Sequence, residues 1–197
     1  MDNLNKRELI LKEALNCLHR SGYQATGLRD LLDRIKVPKG SFYHFFQSKE
    51  HLGLEVIKAY GGFASEQWKK SFDELDGSAE ERLAHYFKSL TQYYTKQDFG
   101  KGCLLGNLSL EMSDKSVEIR NLVNQSLDVF AKTIAKVLAR DRGLTAKPNK
   151  TENLLADLLV EAWEGALIRM KSSKSKKPLE QFIEFSLPRI LAMRTEH

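Results

Sequence analysis

Cysteine is scarce in this 197-residue chain: Cys17 and Cys103 stand far apart and belong to no CxxC or Cys/His cluster. Neither a structural disulfide nor a zinc site is expected. There is no run of roughly eighteen apolar residues that could cross a bilayer, and MDNLNKREL leads straight into an amphipathic helical pattern rather than a signal peptide. The expectation is a soluble, cytoplasmic chain with no membrane partner. A Ser/His/Asp arrangement, a metal-ligand spacing, a P-loop and a dinucleotide-binding glycine fingerprint are all missing, and Glu111, Asp114 and His85 lack a recognisable catalytic context. The chain reads as a non-enzyme without cofactor or metal.

What is present is basic and helical. The formal charge of +5 and an isoelectric point near 9.1 suit an anionic partner, and DNA and an acidic membrane surface fit equally on charge alone. The length allows one large or two small domains with a buried core. Periodicity is helical throughout, so the fold class is all-α.

The stretch from Thr26 to Leu52, TGLRDLLDRIKVPKGSFYHFFQSKEHL, organises the rest. Leu28, Leu31, Leu32 and Ile35 recur at helical spacing and give a first short helix one apolar face. Val37-Pro38 ends it, because the residue before proline is pushed out of the α region, and Pro38 is pre-set for the first turn of the next helix. In that second helix, running to Phe46, the expected internal anchors are Phe42, Phe45 and Phe46. Lys39, Gly40, Ser41, Tyr43 and His44 fall on or beside the exposed side. Gly40 allows close backbone approach, Ser41 and Tyr43 offer hydroxyls, and Lys39 and Lys49 offer charge. From Gly27 to Lys49 the net charge is +3, a footprint for nucleic acid. A solvated face on an ordinary helical hairpin has the same composition.

The order V-P-K-G-S-F-Y-H-F-F-x-S-K-E-x-L, Val37 to Leu52, resembles the signature of the tetracycline-repressor (TetR) family of one-component regulators, with the close match covering about Asn5 to Ile57. The resemblance implies an N-terminal three-helix DNA-binding domain of helix-turn-helix type over 1–52. A linking helix over 48–75 would lead into a ligand-binding and dimerisation domain over 53–197. It further implies that Lys39, Tyr43 and Lys49 meet phosphates, that Gly40 and His44 lie against the groove, and that Arg29 reaches the backbone or a base. Thr26 joins these DNA-facing candidates. Here Thr26-Gly27 departs from the Thr-Thr of many relatives and removes one hydroxyl.

In chain order, Asn5 to His19 reads as a first helix burying Ile10, Ala14, Cys17 and Leu18 with Leu11 and Leu15, and stopped by Ser21-Gly22, with His19 at the surface. Ser48 caps a long helix from Leu52 to about Leu75. Gly61-Gly62 within it is read as a hinge; close packing of another helix fits the same pair. After Asp76-Gly77, Ser78 caps a helix with Leu83, Phe87, Leu90 and Tyr94 inward, while Tyr86 and Tyr93 are candidate pocket residues or core.

Phe99-Gly100-Lys101-Gly102 precedes a short helix, Cys103 to Met112, placing Cys103 at a helix N-terminus where the dipole and Lys101 favour a thiolate; a plain core cysteine fits the same position. GCLLGNLSLEMSD, and WEGALIRMK from Trp163 to Lys171, resemble the branch of that family containing N-ethylmaleimide-responsive and acrylate-responsive repressors. The resemblance implies an electrophile or oxidant sensed at Cys103, with Lys171 in the place of a lysine associated with the sensing cysteine and Trp163 near the ligand. Met112 stands near the second cysteine of some relatives. Adduct formation, sulfenic acid or a bond with lysine then remain open, as does a reversible apolar ligand.

Ser116 to Arg142 reads as one long helix, and Thr151 to Met170 as a helix apolar on more than one side, which needs a second partner surface. KSSKSKK, Lys171 to Lys177, reads as a solvated basic loop rather than a second nucleic-acid contact, and the final helix is expected to bend near Pro188. By resemblance the last two long helices form a homodimer interface that presents two readers to a palindromic operator on double-stranded DNA. A helical binding or scaffold protein that has lost DNA contact is the rival class.

Overall fold

The structure, a computed structural model, describes residues 3–195, which form helices joined by turns and loops, with no strand among them. Ten α-helices lie among the described residues: α1 (Asn3–Ser21), α2 (Leu28–Arg34), α3 (Lys39–Phe45), α4 (Lys49–Trp68), α5 (Ala79–Lys96), α6 (Leu104–Met112), α7 (Val117–Ala139), α8 (Lys150–Ser173), α9 (Lys177–Gln181) and α10 (Leu187–Ala192). They form two compact units, Met1–Gly62 with Cys103–Ser126, and Phe63–Gly102 with Leu127–His197. This division differs from a cut after residue 52, because α6 and the start of α7 pack with the N-terminal helices. Met1, Asp2, Glu196 and His197, at the ends of the expected domain bounds, lie outside the described residues.

In the first unit, Ile10, Ala14 and Leu18 of α1, Leu31 and Leu32 of α2, Phe42 and Phe46 around α3, and Leu52, Val56 and Ile57 of α4 make one buried core. The turn between α2 and α3 follows from Pro38. The Val37 amide closes back on the Leu32 carbonyl at 3.0 Å, and Pro38 is extended (φ −63°, ψ 143°) and caps α3. Lys36 adopts a left-handed φ of 53° at the end of α2. Phe42 and Phe46 stack at 5.5 Å and fill the inner face one helical turn apart. Phe45 is only half-buried, its ring edge-on to His44 at 4.9 Å, because that pair already occupies the inward direction.

Gly22 ends α1 with φ 84°. A side chain there is strained by the left-handed backbone and would also displace the Glu111 carboxylate of α6, whose Oε1 lies 1.9 Å from where a Cβ would sit. The same carboxylate accepts the Gln24 amide at 2.7 Å. Ser116 caps α7 by accepting the Ile119 amide at 3.1 Å and donates its hydroxyl to Glu50 of α4. These bonds tie the Cys103–Ser126 segment to the helices of the N-terminus. His19, expected at the surface, is 3% exposed and meets Tyr60 of α4 edge-on at 5.7 Å. A single-helix pattern cannot show that α4 covers that side of α1.

In the second unit, Ser78 and Glu81 form the reciprocal capping box of α5, after a break at Gly77 (φ 125°). Phe87, Trp163 and Phe182 pack as a triad with ring centroids 4.7 to 5.1 Å apart. Trp68 stacks on Phe130 at 5.5 Å and donates its indole N–H to the Tyr86 hydroxyl at 3.0 Å. From Trp68, α4 passes into a π-helical turn, Lys69–Asp73, close to where the sequence pattern ends it. Neither glycine of the Gly61-Gly62 pair is crowded: both lie within the helical span of α4, and a Cβ at either would meet nothing within 4 Å. Close helix packing within the chain is therefore not their role, and the boundary between units falls directly after Gly62.

Lys171 to Ser173 is helix rather than loop. The α8 pattern carries on past the buried Met170, and Lys174 makes the left-handed cap (φ 50°) usually given to glycine. Leu154 and Ile168 of α8 stay exposed, so that helix is buried on one side within the chain. The terminal helix changes at this place to a π-helical turn, Phe182–Ser186, and resumes at Leu187 with Pro188 in its first turn. At one end of this unit Glu152 is fully buried, with Arg142 bonded to both its oxygens at 2.8 and 2.6 Å and the Asn149 amide at 2.9 Å. Arg194 adds a 3.4 Å contact to Glu152 and pairs with Asp141 at 2.8 Å.

Candidate nucleic-acid interface and thiol site

With Phe42 and Phe46 facing inward, the 100° step of the helix turns Lys39, Gly40, Tyr43 and His44 outward. All four are exposed, Tyr43 at 51%, and Ser41 is half-buried at the flank. The Lys39 ammonium sits 5.8 Å over the Tyr43 ring, so one cation and one phenol hydroxyl share the edge. The space over Gly40 is open: a Cβ added there would have nothing within 4 Å. Arg29 projects from α2 with its side chain 91% exposed, 3.7 Å from Asp33 one turn along. An edge of cations and hydroxyls on a small apolar core can bind phosphates and offer groups to base edges.

Thr26 and Lys49 are placed differently from the rest of the set. Thr26 is buried, and its hydroxyl donates to the Gly22 carbonyl at 2.7 Å. The Lys49 ammonium donates to the Tyr23 carbonyl at 2.6 Å and lies 4.3 Å over the Tyr23 ring. Burial lowers the Lys49 pKa, opposed by the nearby Glu111 carboxylate. Burial, with the Glu50 carboxylate behind it, raises that of the Tyr23 phenol. Both side chains hold the corner between α1, α2 and α4 instead of reaching out, because the loop carbonyls there need donors. Glu111, Glu50 and Ser116, which complete this support, carry no local signal: the Gln24 to Glu111 bond joins residues 87 apart in sequence.

Cys103 is the N-cap of α6, extended at φ −71° and ψ 127°, and its buried sulfur accepts the Gly106 amide at 3.4 Å. Neither cysteine is in a disulfide. Cys17 is held in the core of the first unit, its thiol donating to Glu13 at 3.3 Å with its pKa raised, by burial first and then by that carboxylate. Lys171 lies half-buried in the last turn of α8 and belongs to the second unit, whereas Cys103 belongs to the first. Lys101 bonds the Tyr93 hydroxyl at 3.2 Å. Tyr86 and Trp163 are core residues of the second unit, at 5% and 2% exposure. An open groove of about 660 Å³ between α5 and α9 is lined by Lys88, Thr91, Thr95, Lys176, Glu180 and Ile183 among others, not by those aromatic candidates. Among the described residues no His, Cys, Asp and Glu cluster could hold a metal ion, and no helix is long and apolar enough to cross a membrane.

Comparison with known proteins covers both parts of the chain. Residues 10–56 match a family model described as bacterial regulatory proteins, tetR family. Residues 79–184 match one described as transcriptional regulator LmrA/YxaF-like, C-terminal domain. The HTH-type transcriptional repressor DhaR of Mycobacterium sp. (strain GP1) is 28% identical over 178 residues, which is 90% of this chain and 88% of DhaR. Among solved structures, regulatory protein TetR from Rhodobacter sphaeroides superposes with a TM-score of 0.84 at 26% identity, covering 93% of this chain and 97% of that one. Escherichia coli NemR in its reduced form superposes with a TM-score of 0.78 at 27% identity, covering 96% of this chain and 95% of that one.

Proposed function

The chain belongs to the TetR family of bacterial regulatory proteins, and from that membership we propose that it is a DNA-binding transcriptional repressor, acting as a homodimer and released from a palindromic operator by a small-molecule effector. The observation that carries this is the outward edge of α3, backed by Phe42 and Phe46. Lys39 and Tyr43 take phosphates, Gly40 and His44 approach the major groove with Ser41 at their flank, and Arg29 on α2 reaches the backbone or a base. Thr26 and Lys49 set the angle at which α2 and α3 are presented. DhaR, similar over most of the chain, is itself a transcriptional repressor.

Leu154, Ile168 and Phe185 are exposed on α8 and the C-terminal stretch; they support dimerisation through the last two long helices, which would set two readers about one helical turn of DNA, roughly 34–36 Å, or a multiple apart. The effector reading is an electrophile or oxidant acting at Cys103, supported by the thiol at a helix N-terminus. An effector releases DNA only by favouring the conformation that binds it poorly.

A gel shift with the DNA upstream of the coding sequence tests both parts. Specific retardation that a reactive carbonyl abolishes in the native protein and not in Cys103→Ser supports the reading. Release that survives in Cys103→Ser replaces covalent sensing by a reversible ligand, and no retardation at low salt leaves a scaffold protein.

A further inference from the structure

The helix that carries Arg29 has little of its own to fix its start. Gly27, the N-cap of α2, has no side chain with which to close the first turn, and α2 is only seven residues long, too short to hold an entry angle by itself. The corner ahead of it, Gly22 to Thr26, sets that angle. Three consecutive residues of the corner are each held by a side chain. The Gly22 carbonyl accepts the Thr26 hydroxyl at 2.7 Å, the Tyr23 carbonyl accepts the Lys49 ammonium at 2.6 Å, and the Gln24 amide donates to Glu111 at 2.7 Å. The first grip is local, the second comes from α4, and the third comes from α6, 87 residues away. Glu111 meets the corner at two points: one oxygen takes the Gln24 N–H, and the other lies against Gly22, 1.9 Å from where a Cβ would sit. Its charge also offsets the burial of the Lys49 ammonium, and the neighbouring Met112 sulfur accepts the Gln24 side-chain amide at 3.6 Å. A backbone amide bonded to a carboxylate is a strong and directional grip.

Resting on the reading of the α3 edge as an operator reader, we infer that Glu111 is a positioning residue for operator recognition, fixing from α6 the corner ahead of α2 and with it the register of Arg29 and the α3 edge on the base pairs. The reader is then more than the N-terminal helices: a segment from the middle of the chain completes it. Phosphate contacts tolerate a small tilt, because Lys39 and Arg29 are long, exposed side chains that can follow the backbone. Hydrogen bonds to base edges depend steeply on distance and angle and do not. Loss of Glu111 therefore costs specificity and spares non-specific binding.

The test measures affinity by fluorescence anisotropy for the full chain, on the DNA upstream of the coding sequence and on a scrambled duplex of the same length, beside a thermal melt. Glu111→Ala should weaken upstream binding about tenfold, the worth of one misplaced base-edge contact, with binding to the scrambled duplex unchanged. Glu111→Gln should regain most of that loss, because its side-chain oxygen still accepts the Gln24 amide. If alanine is not accommodated, the same ratio is read in Glu111→Asp, which keeps the charge and draws it back by one carbon. An unchanged ratio of the two affinities, a parallel loss on both duplexes with a lowered Tm, or a glutamine variant as weak as alanine would each overturn the role of Glu111 and leave the repressor reading standing. A native chain that binds both duplexes equally would remove that reading, and this one with it.

Discussion

The exposed edge of α3 and the buried end of the second unit around Glu152 use charge in opposite ways. At α3, Lys39, Tyr43 and His44 project into solvent from a base of Phe42 and Phe46. Around Glu152, the carboxylate meets two arginines and a backbone amide, and Arg194 also meets Asp141 and the Leu138 carbonyl. Exposed charges add little to stability, and a buried carboxylate is tolerated only with its partners in place. The first set is available to something outside the chain; the second is consumed by the fold. The same residue types therefore carry function in one place and architecture in the other, and only burial and partners tell them apart.

The sharpest way to break this contrast is at Glu152. Glu152→Gln leaves Arg142 without its counter-charge, while Arg194 keeps Asp141, and should destabilise the chain by about 2 kcal/mol, a fall in Tm of roughly 4–8 °C in a thermal melt, with operator affinity of the folded fraction unchanged. The reverse pattern is expected at the other pole. Combining Lys39→Ala with Tyr43→Phe should weaken operator binding about 10- to 100-fold and leave Tm unaltered, as read by fluorescence anisotropy beside a melt.

A smaller effect separates the two regions by pH. Hydrogen bonds from Arg142, then the Asn149 amide and the charges of both arginines, hold the Glu152 carboxyl below the usual carboxylate range against the effect of burial. Its contribution is complete above the unfolded carboxyl value, about 4.3, and is lost as pH falls through the lower folded value. Urea midpoints should drop with acid in the native chain and in the α3 variant, and less steeply in Glu152→Gln; Glu55 and Glu81, also held low, supply the remaining slope. The smallest effect on stability is expected at Gly61 and Gly62. Alanine at both meets no neighbour and should hold or raise Tm while altering effector response. An unaltered response would remove the hinge.

Local chemistry makes much of this fold legible from the residues alone. Val37-Pro38, the Ser78 cap, Asp76-Gly77 and the spacing of Leu31, Leu32, Phe42 and Phe46 each act within a few residues, so the helices around them follow from the sequence. Tertiary partners are not legible in the same way. Thr26 and Lys49 have the composition of phosphate contacts, yet nearby loop carbonyls claim their donors. The packing of α6 with the N-terminal helices rests on Glu111 and Ser116, whose partners are distant in sequence. Lys174 takes a left-handed cap that composition assigns to glycine, which is why the basic tract reads as loop from its first residue.

The most direct test of the central claim is the salt dependence of operator binding, measured by anisotropy for the native chain and for Lys39→Ala over the same ionic strengths. If the α3 edge contacts the duplex, log K falls linearly with log salt, and the variant gives a slope shallower by about one for each reader. A native slope retained in full by Lys39→Ala would contradict the account, because the charge held at that edge would then have no phosphate to meet.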